Sequence, residues 1–249
     1  MDLALKDKVA IITGGASGLG RRTAELFVEE GVNVVVADLE LLRVEETINH
    51  LESKGGKARG VIMDVREYAD CHRMVAEARN CFGGVHILVN SAGVGDHGAF
   101  SQSDPDSWNH QLEVNLRGLM NCCRAICEPF IAQRSGKIIN LASEAGKVGE
   151  QRIVVYSATK GGVIAFTKAF AVEMGPFNVN VNAVCPGVTK TPMTAFLKPS
   201  QEKEWARFYP LGRLGVPDDI APMIVFLASE RASWITGQAI SINGGFGRS

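Results

Sequence analysis

Short runs rich in Val and Ile recur along the whole chain, each followed by a longer stretch with apolar residues at helical spacing. This alternation is what most limits the fold. Seven runs have strand character: 9–13, 32–37, 58–63, 87–90, 137–140, 179–184 and 239–242. Most are apolar on both faces, which suits strands covered by helices above and below. Between them lie helical patterns over 21–30, 41–54, 69–82, 105–133, 156–174 and 218–228. Asp104 before Pro105, and Pro217 before Asp218 and Asp219, supply helix starts, while Gly31, Gly55, Gly83 and Gly175 supply stops. Strand–helix alternation with short turns predicts an α/β fold: one doubly wound, Rossmann-like parallel β-sheet with helices on both faces.

With 249 residues, 46% of them apolar and 21% charged, the chain can bury a full core. No linker, repeat or low-complexity stretch divides it, so a single domain over 1–249 is expected. A net charge of −1 without a basic stripe gives no footing for nucleic acid or an anionic membrane. Arg21 and Arg22 read as a solvated first helical turn, not a phosphate clamp. No apolar run approaches the roughly 18 residues of a membrane span, and the charged start has no signal-peptide core. The six cysteines lack CxxC spacing and read as reduced thiols, which together points to the cytoplasm. Cys122, Cys123 and Cys127 are expected to pack within a helix, and no metal site is expected.

Chemistry enters after the first strand, at Thr13-Gly14-Gly15-Ala16-Ser17-Gly18-Leu19-Gly20. Glycines allow a sharp turn and let backbone N–H groups reach a pyrophosphate at a helix N-terminus. The pattern is G-x-x-x-G-x-G, not the common G-x-G-x-x-G, and a glycine loop alone is weak evidence. Asp38 ends the second strand, where a carboxylate accepts from adenosine ribose hydroxyls and repels a 2′-phosphate. It predicts NAD over NADP, against the plainer reading of a turn residue or cap.

Tyr156 and Lys160 stand at i and i+4, on one face of a predicted helix. An ammonium close to a phenol favours the phenolate, so the expectation is a tyrosine of lowered pKa serving as general acid or base. Ser143, just after the fifth predicted strand, can hold a substrate oxygen against that tyrosine. A Tyr/Lys pair by itself means little; the order of glycine loop, Asp38, Ser143 and Tyr156/Lys160 carries the argument.

Taken together, these residues resemble the short-chain dehydrogenase/reductase family, from about Lys8 to Gly245. The likeness includes Asp64-Val65, Asn90-Ser91-Ala92-Gly93, Asn115, Pro186-Gly187 and Ile235-Thr236-Gly237-Gln238. It implies that Tyr156 is the acid/base, that Lys160 tunes it and binds the nicotinamide ribose, and that Ser143 orients the substrate. Asn115 would hold a water linking Lys160 to solvent. Asp64 and Val65 would flank the adenine, Asn90, Ala92 and Gly93 would line the groove, and Pro186, Gly187, Thr189 and Thr191 would contact the nicotinamide half. NADP-using relatives tend to be basic where this chain has Ser17 and Leu39, which again implies NAD. Ser91, His86 and Thr189 depart from the usual pattern without removing a catalytic group. Family members are usually homotetramers joined through the two long helices and the C-terminal strand.

Substrate choice falls to the loops 94–100 and 144–155 and to a lid over 188–211, whose Met193, Phe196, Leu197, Trp205, Phe208 and Tyr209 could exclude water. The reading reached is an NAD-dependent oxidoreductase of a small secondary alcohol or ketone. Its alternatives are a 3-oxoacyl thioester reductase, which Asp38 opposes, and a catalytically silent NAD-binding scaffold, which the complete set Asn115, Ser143, Tyr156 and Lys160 opposes.

Overall fold

The computed structural model describes residues 2–248. Its strands are β1 (Val9–Thr13), β2 (Asn33–Asp38), β3 (Ala58–Ile62), β4 (Ile87–Asn90), β5 (Gly136–Leu141), β6 (Val179–Pro186) and β7 (Ala239–Ile242). They form one seven-stranded sheet in the order β3-β2-β1-β4-β5-β6-β7, and every pairing is parallel. The chain builds outward from β1 to β3, then returns to lay β4 on the other side of β1. At that reversal Thr13 and Asn90 lie side by side in register, so the loops leaving them diverge and open a crevice.

The helices are α1 (Gly18–Glu29), α2 (Leu41–Ser53), α3 (Tyr68–Phe82), α4 (Pro105–Leu112), α5 (Leu119–Gln133), α6 (Ala145–Val148), α7 (Val154–Met174), α8 (Pro199–Ala206) and α9 (Pro217–Leu227). Alternate strand residues serve the two faces. Ile11, Val35, Leu88, Ile138 and Val181 pack with Met74 of α3, Ile126 and Phe130 of α5 and Val163 of α7. Ile12, Val34, Val36, Ile87, Val89 and Ile139 pack with Phe27 of α1, Leu51 of α2 and Ile224 of α9. This is the two-residue period of a strand, doubled because both faces are dry. Each such side chain, fully buried, contributes roughly 1.5–3 kcal/mol.

Two helix starts follow the sequence reading. Asp104 accepts from Asp106 N at 3.1 Å ahead of Pro105, and Asp219, clamped by Arg213, accepts from Val216 N at 2.8 Å. That clamp holds the Asp219 carboxyl down at about 2. Cys122 and Cys123 are buried on α5, with Cys122 Sγ 3.6 Å from Cys71 Sγ of α3. Among the described residues no helix is long and apolar enough to cross a membrane.

The predicted helix 105–133 is not uniform. Between α4 and α5 the chain makes a π-helical turn over Glu113–Gly118 that contains Asn115. The helix predicted from Tyr156 already starts at Val154, and the lid carries its own helix, α8.

Candidate active site

The loop from β1 into α1 is a cradle made of backbone. A Cβ on Gly14 would lie 2.8 Å from the Cα and N of Ala92, and one on Gly20 would lie 2.2 Å from Gly14 O. Gly14 and Gly18 both have positive φ, 63° and 50°. Ser17 precedes α1 without a side-chain cap, and no acidic residue stands in the first turn. The N–H groups of that turn are therefore free for an anion, which fits the pyrophosphate of a dinucleotide. Arg21 and Arg22 take no part; they pair with Glu25, Glu46 and Asp218 along the outer face of α1.

Asp38 stands beside this cradle. Its Oδ2 accepts from Ala16 N at 3.1 Å and its Oδ1 from Leu39 N at 2.8 Å. Leu39 itself points to solvent. Asp64, after β3, is gripped by Arg66 (Nε to Oδ2 2.9 Å), which holds its carboxyl below the usual range. Val65 is turned against the start of α5, where a Cβ on Gly118 would lie 2.5 Å from it.

Asn90 ends β4 at the crevice but turns its side chain inward. Its amide faces the core, donating to Asn140 Oδ1 at 2.9 Å and Cys123 Sγ at 3.3 Å, and Asn140 in turn donates to Thr167 Oγ1 at 2.9 Å. It ties β4 to β5 and α7 instead of lining the groove with its side chain. Ala92 and Gly93 do lie at the crevice: Ala92 N donates to Thr13 Oγ1 at 3.3 Å, and a Cβ on Gly93 would stand 3.3 Å from Asn115 Oδ1 and 3.5 Å from Lys160 Nζ.

Asn115 is saturated by protein. Its Nδ2 donates to Val94 O at 2.8 Å and Thr159 Oγ1 at 3.1 Å, and its Oδ1 accepts from Val94 N at 2.8 Å. Both amide protons are spent, so a water here would have to use the main chain; the side chain fastens the loop after β4 to α7.

Tyr156 and Lys160 share one face of α7, the lysine buried and the tyrosine half-buried. Lys160 Nζ donates to Leu141 O at 2.7 Å and lies 5.7 Å from the centre of the Tyr156 ring. Ser143, just past the end of β5, stands beside the phenol and accepts from Ala145 N at 3.2 Å. Desolvation pulls Lys160 down to about 8 and pushes Tyr156 up to about 12, with the nearby Ser143 hydroxyl opposing and the Glu150 charge assisting the rise in Tyr156. The expected lowering of the tyrosine by its lysine is thus overturned: desolvation of the phenol wins, while the ammonium is spent on Leu141.

Gly187 follows β6 so closely under Tyr209 that a Cβ there would lie 2.9 Å from the ring. Thr189 Oγ1 donates to Gly187 O at 2.9 Å, and the Thr191 Cβ stands 3.4 Å from where a Cβ on Gly18 would be. The residues from Pro186 to Thr191 and the glycine loop are therefore opposite walls of one crevice. Above it the lid divides. Leu197, Tyr209 and Leu214 form a small core, while Met193, Phe196 and Phe208 are exposed. His97 crosses from the loop after β4, its ring centroid 6.1 Å from Phe196 and 6.4 Å from Trp205. Arg152 contributes its backbone, accepting from Gly98 N at 2.8 Å, and its side chain is exposed.

Gly95 and Glu144 went unassigned in the sequence. A Cβ on Gly95 would stand 3.0 Å from the Tyr156 ring, and Glu144, next to Ser143, is buried. A glycine two residues beyond the Ala92-Gly93 pair was the only signal for the first; the second had none.

A dinucleotide cradle at the switch point of a parallel sheet, with a Ser–Tyr–Lys cluster across the crevice, defines a nicotinamide-dependent oxidoreductase. The family model described as Enoyl-(Acyl carrier protein) reductase matches residues 14–247. The 3-oxoacyl-(acyl-carrier-protein) reductase FabG of Thermotoga maritima is 35% identical over 98% of this chain and 99% of its own. The hydroxy(phenyl)methylsuccinyl-CoA dehydrogenase subunit BbsD of Thauera aromatica is also 35% identical, over 98% of each chain. Among solved structures, an actinorhodin polyketide ketoreductase with NADPH superposes at a TM-score of 0.93 with 31% identity, over 97% of this chain and 98% of that one. The chain belongs to the short-chain dehydrogenase/reductase family.

Proposed function

We propose that this oxidoreductase uses NAD and interconverts a 3-hydroxyacyl and a 3-oxoacyl thioester. The observation that carries the chemistry is the half-buried Tyr156 phenol with Ser143 beside it and Lys160 Nζ 5.7 Å from its ring centre. Tyr156 holds the proton exchanged with the substrate oxygen, Ser143 orients that oxygen, and Lys160 lies on the ribose side. Pro186, Gly187, Thr189 and Thr191 would hold the nicotinamide, whose chemistry when bound would be to supply or accept the hydride. The cradle formed by Gly14, Ser17, Gly18, Leu19 and Gly20 would hold the pyrophosphate, and Asp64 and Val65 lie at the adenine end.

NAD is supported by Asp38, whose carboxylate already sits on Ala16 N with no basic residue adjoining it in sequence. A 2′-phosphate would meet that charge directly. The thioester is supported by the reductase FabG and by BbsD, whose name carries a CoA ester, and these relatives favour it over the free secondary alcohol preferred on sequence grounds. The free alcohol stays as a second reading because the lid wall of His97, Phe196 and Trp205 suits a compact ring. We infer also that four copies assemble and that the enzyme works in the cytoplasm, as its free thiols suit.

NADH absorbance with acetoacetyl-CoA, 3-hydroxybutyryl-CoA and cyclohexanol, each with NAD- and NADP-type cofactors, tests the reading. Thioester turnover with NAD(H) is expected. Turnover of cyclohexanol alone selects the second reading, and a preference for NADPH overturns the role of Asp38.

A further inference from the structure

The segment after β7, 243–247, folds back onto the residues around Ser143. Asn243 organises it: Nδ2 donates to Gly247 O at 2.9 Å, Oδ1 accepts from Gly245 N at 2.9 Å, and its carbonyl accepts from Phe246 N at 3.0 Å. On one side this turn meets the lid. Phe246 stacks on Tyr209 with ring centroids 5.2 Å apart, and a Cβ on Gly245 would lie 2.9 Å from Pro210 Cγ. On the other side Gly247 rests on the Glu144 carboxylate, so tightly that a Cβ there would stand 1.8 Å from Oε1 and 2.6 Å from Cδ.

Glu144 directly follows Ser143 and is 1% exposed. Its N donates to Pro186 O at 3.0 Å, and its Oε2 accepts from Ser241 Oγ at 2.8 Å, which in turn accepts from Lys147 Nζ at 2.8 Å. Its Oε1 is buried with no hydrogen-bond partner. Such an oxygen is destabilising and persists only where its surroundings hold it in place. Here the cover is the bare Cα of Gly247, which can offer only a weak C–H contact. A side chain here would force the Glu144 carboxylate to shift within a buried position.

We propose that Gly247 is a positioning residue for the site: through Glu144 it sets where Ser143 stands, and through Phe246 the same turn ties Ser143 to the lid. The inference rests on the role given to Ser143 above. A lid that closes on Tyr209 and Phe246 then shifts the serine with it, so that substrate enclosure and substrate orientation are one movement.

The test uses the full chain carrying Gly247→Ala, Glu144→Ala, both together, and Ser143→Ala. Hydrogen–deuterium exchange over 141–149 should rise in Gly247→Ala, and unchanged exchange there overturns the contact. With the thioester or alcohol that wild type turns over, kcat should fall about tenfold to a hundredfold while NADH affinity by fluorescence stays within about twofold. In the Glu144→Ala background, Gly247→Ala should add less than about twofold, because the carboxylate it strikes is gone. Full kcat in Gly247→Ala beside a dead Ser143→Ala overturns the positioning role alone. An active Ser143→Ala overturns the role of the serine and the inference with it. Phe246→Leu, which adds no bulk, carries the same exchange measurement should Gly247→Ala not accumulate.

Discussion

Of the three tyrosines, Tyr68 lies exposed beside His72 and Tyr209 gives its oxygen to Val188 N at 2.8 Å. Tyr156 alone stands beside both a serine hydroxyl and a lysine ammonium. Tyr156→Phe should therefore lower turnover by about 10²–10⁴-fold while NADH titration stays close to wild type, and retained turnover refutes the acid/base role. The direction of its pKa adds a second reading of the same residue. Alcohol oxidation hands Tyr156 a proton and so needs the phenolate; carbonyl reduction needs the phenol. With the phenol up at about 12, the phenolate fraction grows with pH throughout the neutral range. Initial oxidation rates should climb roughly tenfold per pH unit between about 7 and 9, and reduction should stay flat. A plateau in oxidation below about pH 8 would mean that bound ligands bring the phenol down. Asp38→Ala should narrow the preference for NAD over NADP about tenfold or more, since one charge opposing the 2′-phosphate is removed. An unchanged ratio would reduce Asp38 to a turn residue.

At the scale of elements, the turn from β1 into α1 is set by contacts between backbone atoms, so it admits a sharp test. A methyl on Gly20 would sit 2.2 Å from a carbonyl oxygen that has no side chain to swing away. Gly20→Ala should destabilise the fold by about 1–3 kcal/mol and weaken NADH binding at least about tenfold, read by thermal melting and fluorescence titration. Normal affinity would remove the cradle from the cofactor site. This turn was legible in the sequence because glycine spacing and backbone approach are the same fact. The sheet was legible for a similar reason: buried Val and Ile runs leave few other architectures. The π-helical turn at Asn115 was not, since one extra residue in a single turn hardly disturbs apolar spacing. Nor was the inward turn of Asn90, because a motif match does not say which face of a strand a side chain serves. The contact of Glu144 with Ser241 joins residues 97 apart, and no local pattern marks either partner.

Across the whole molecule, the sheet leaves β7 as an edge strand whose residues are all only half-buried, with an open row of backbone groups. The turn before β7 packs on α7, a Cβ on Gly237 lying 3.5 Å from Ala171 Cβ. Nearby in sequence, Trp234 is 99% exposed and Val172 of α7 is 79% exposed. A separate set, Leu112 of α4 with Met120 and Ile131 of α5, is also exposed. An isolated chain would leave these large apolar groups in water, whereas pairing through either set would cover them. Two different two-fold contacts on one chain generate a closed tetramer, and losing one leaves a dimer. Light scattering should therefore give a particle of four chains of 26.7 kDa for wild type. Val172→Glu with Trp234→Ser should yield a dimer held by the α4–α5 face. Met120→Glu with Ile131→Glu should yield a dimer held by β7 and α7. A wild-type monomer would show that the exposed residues serve something other than self-assembly, and a single set of substitutions that produced monomers would mean that one contact alone holds the oligomer.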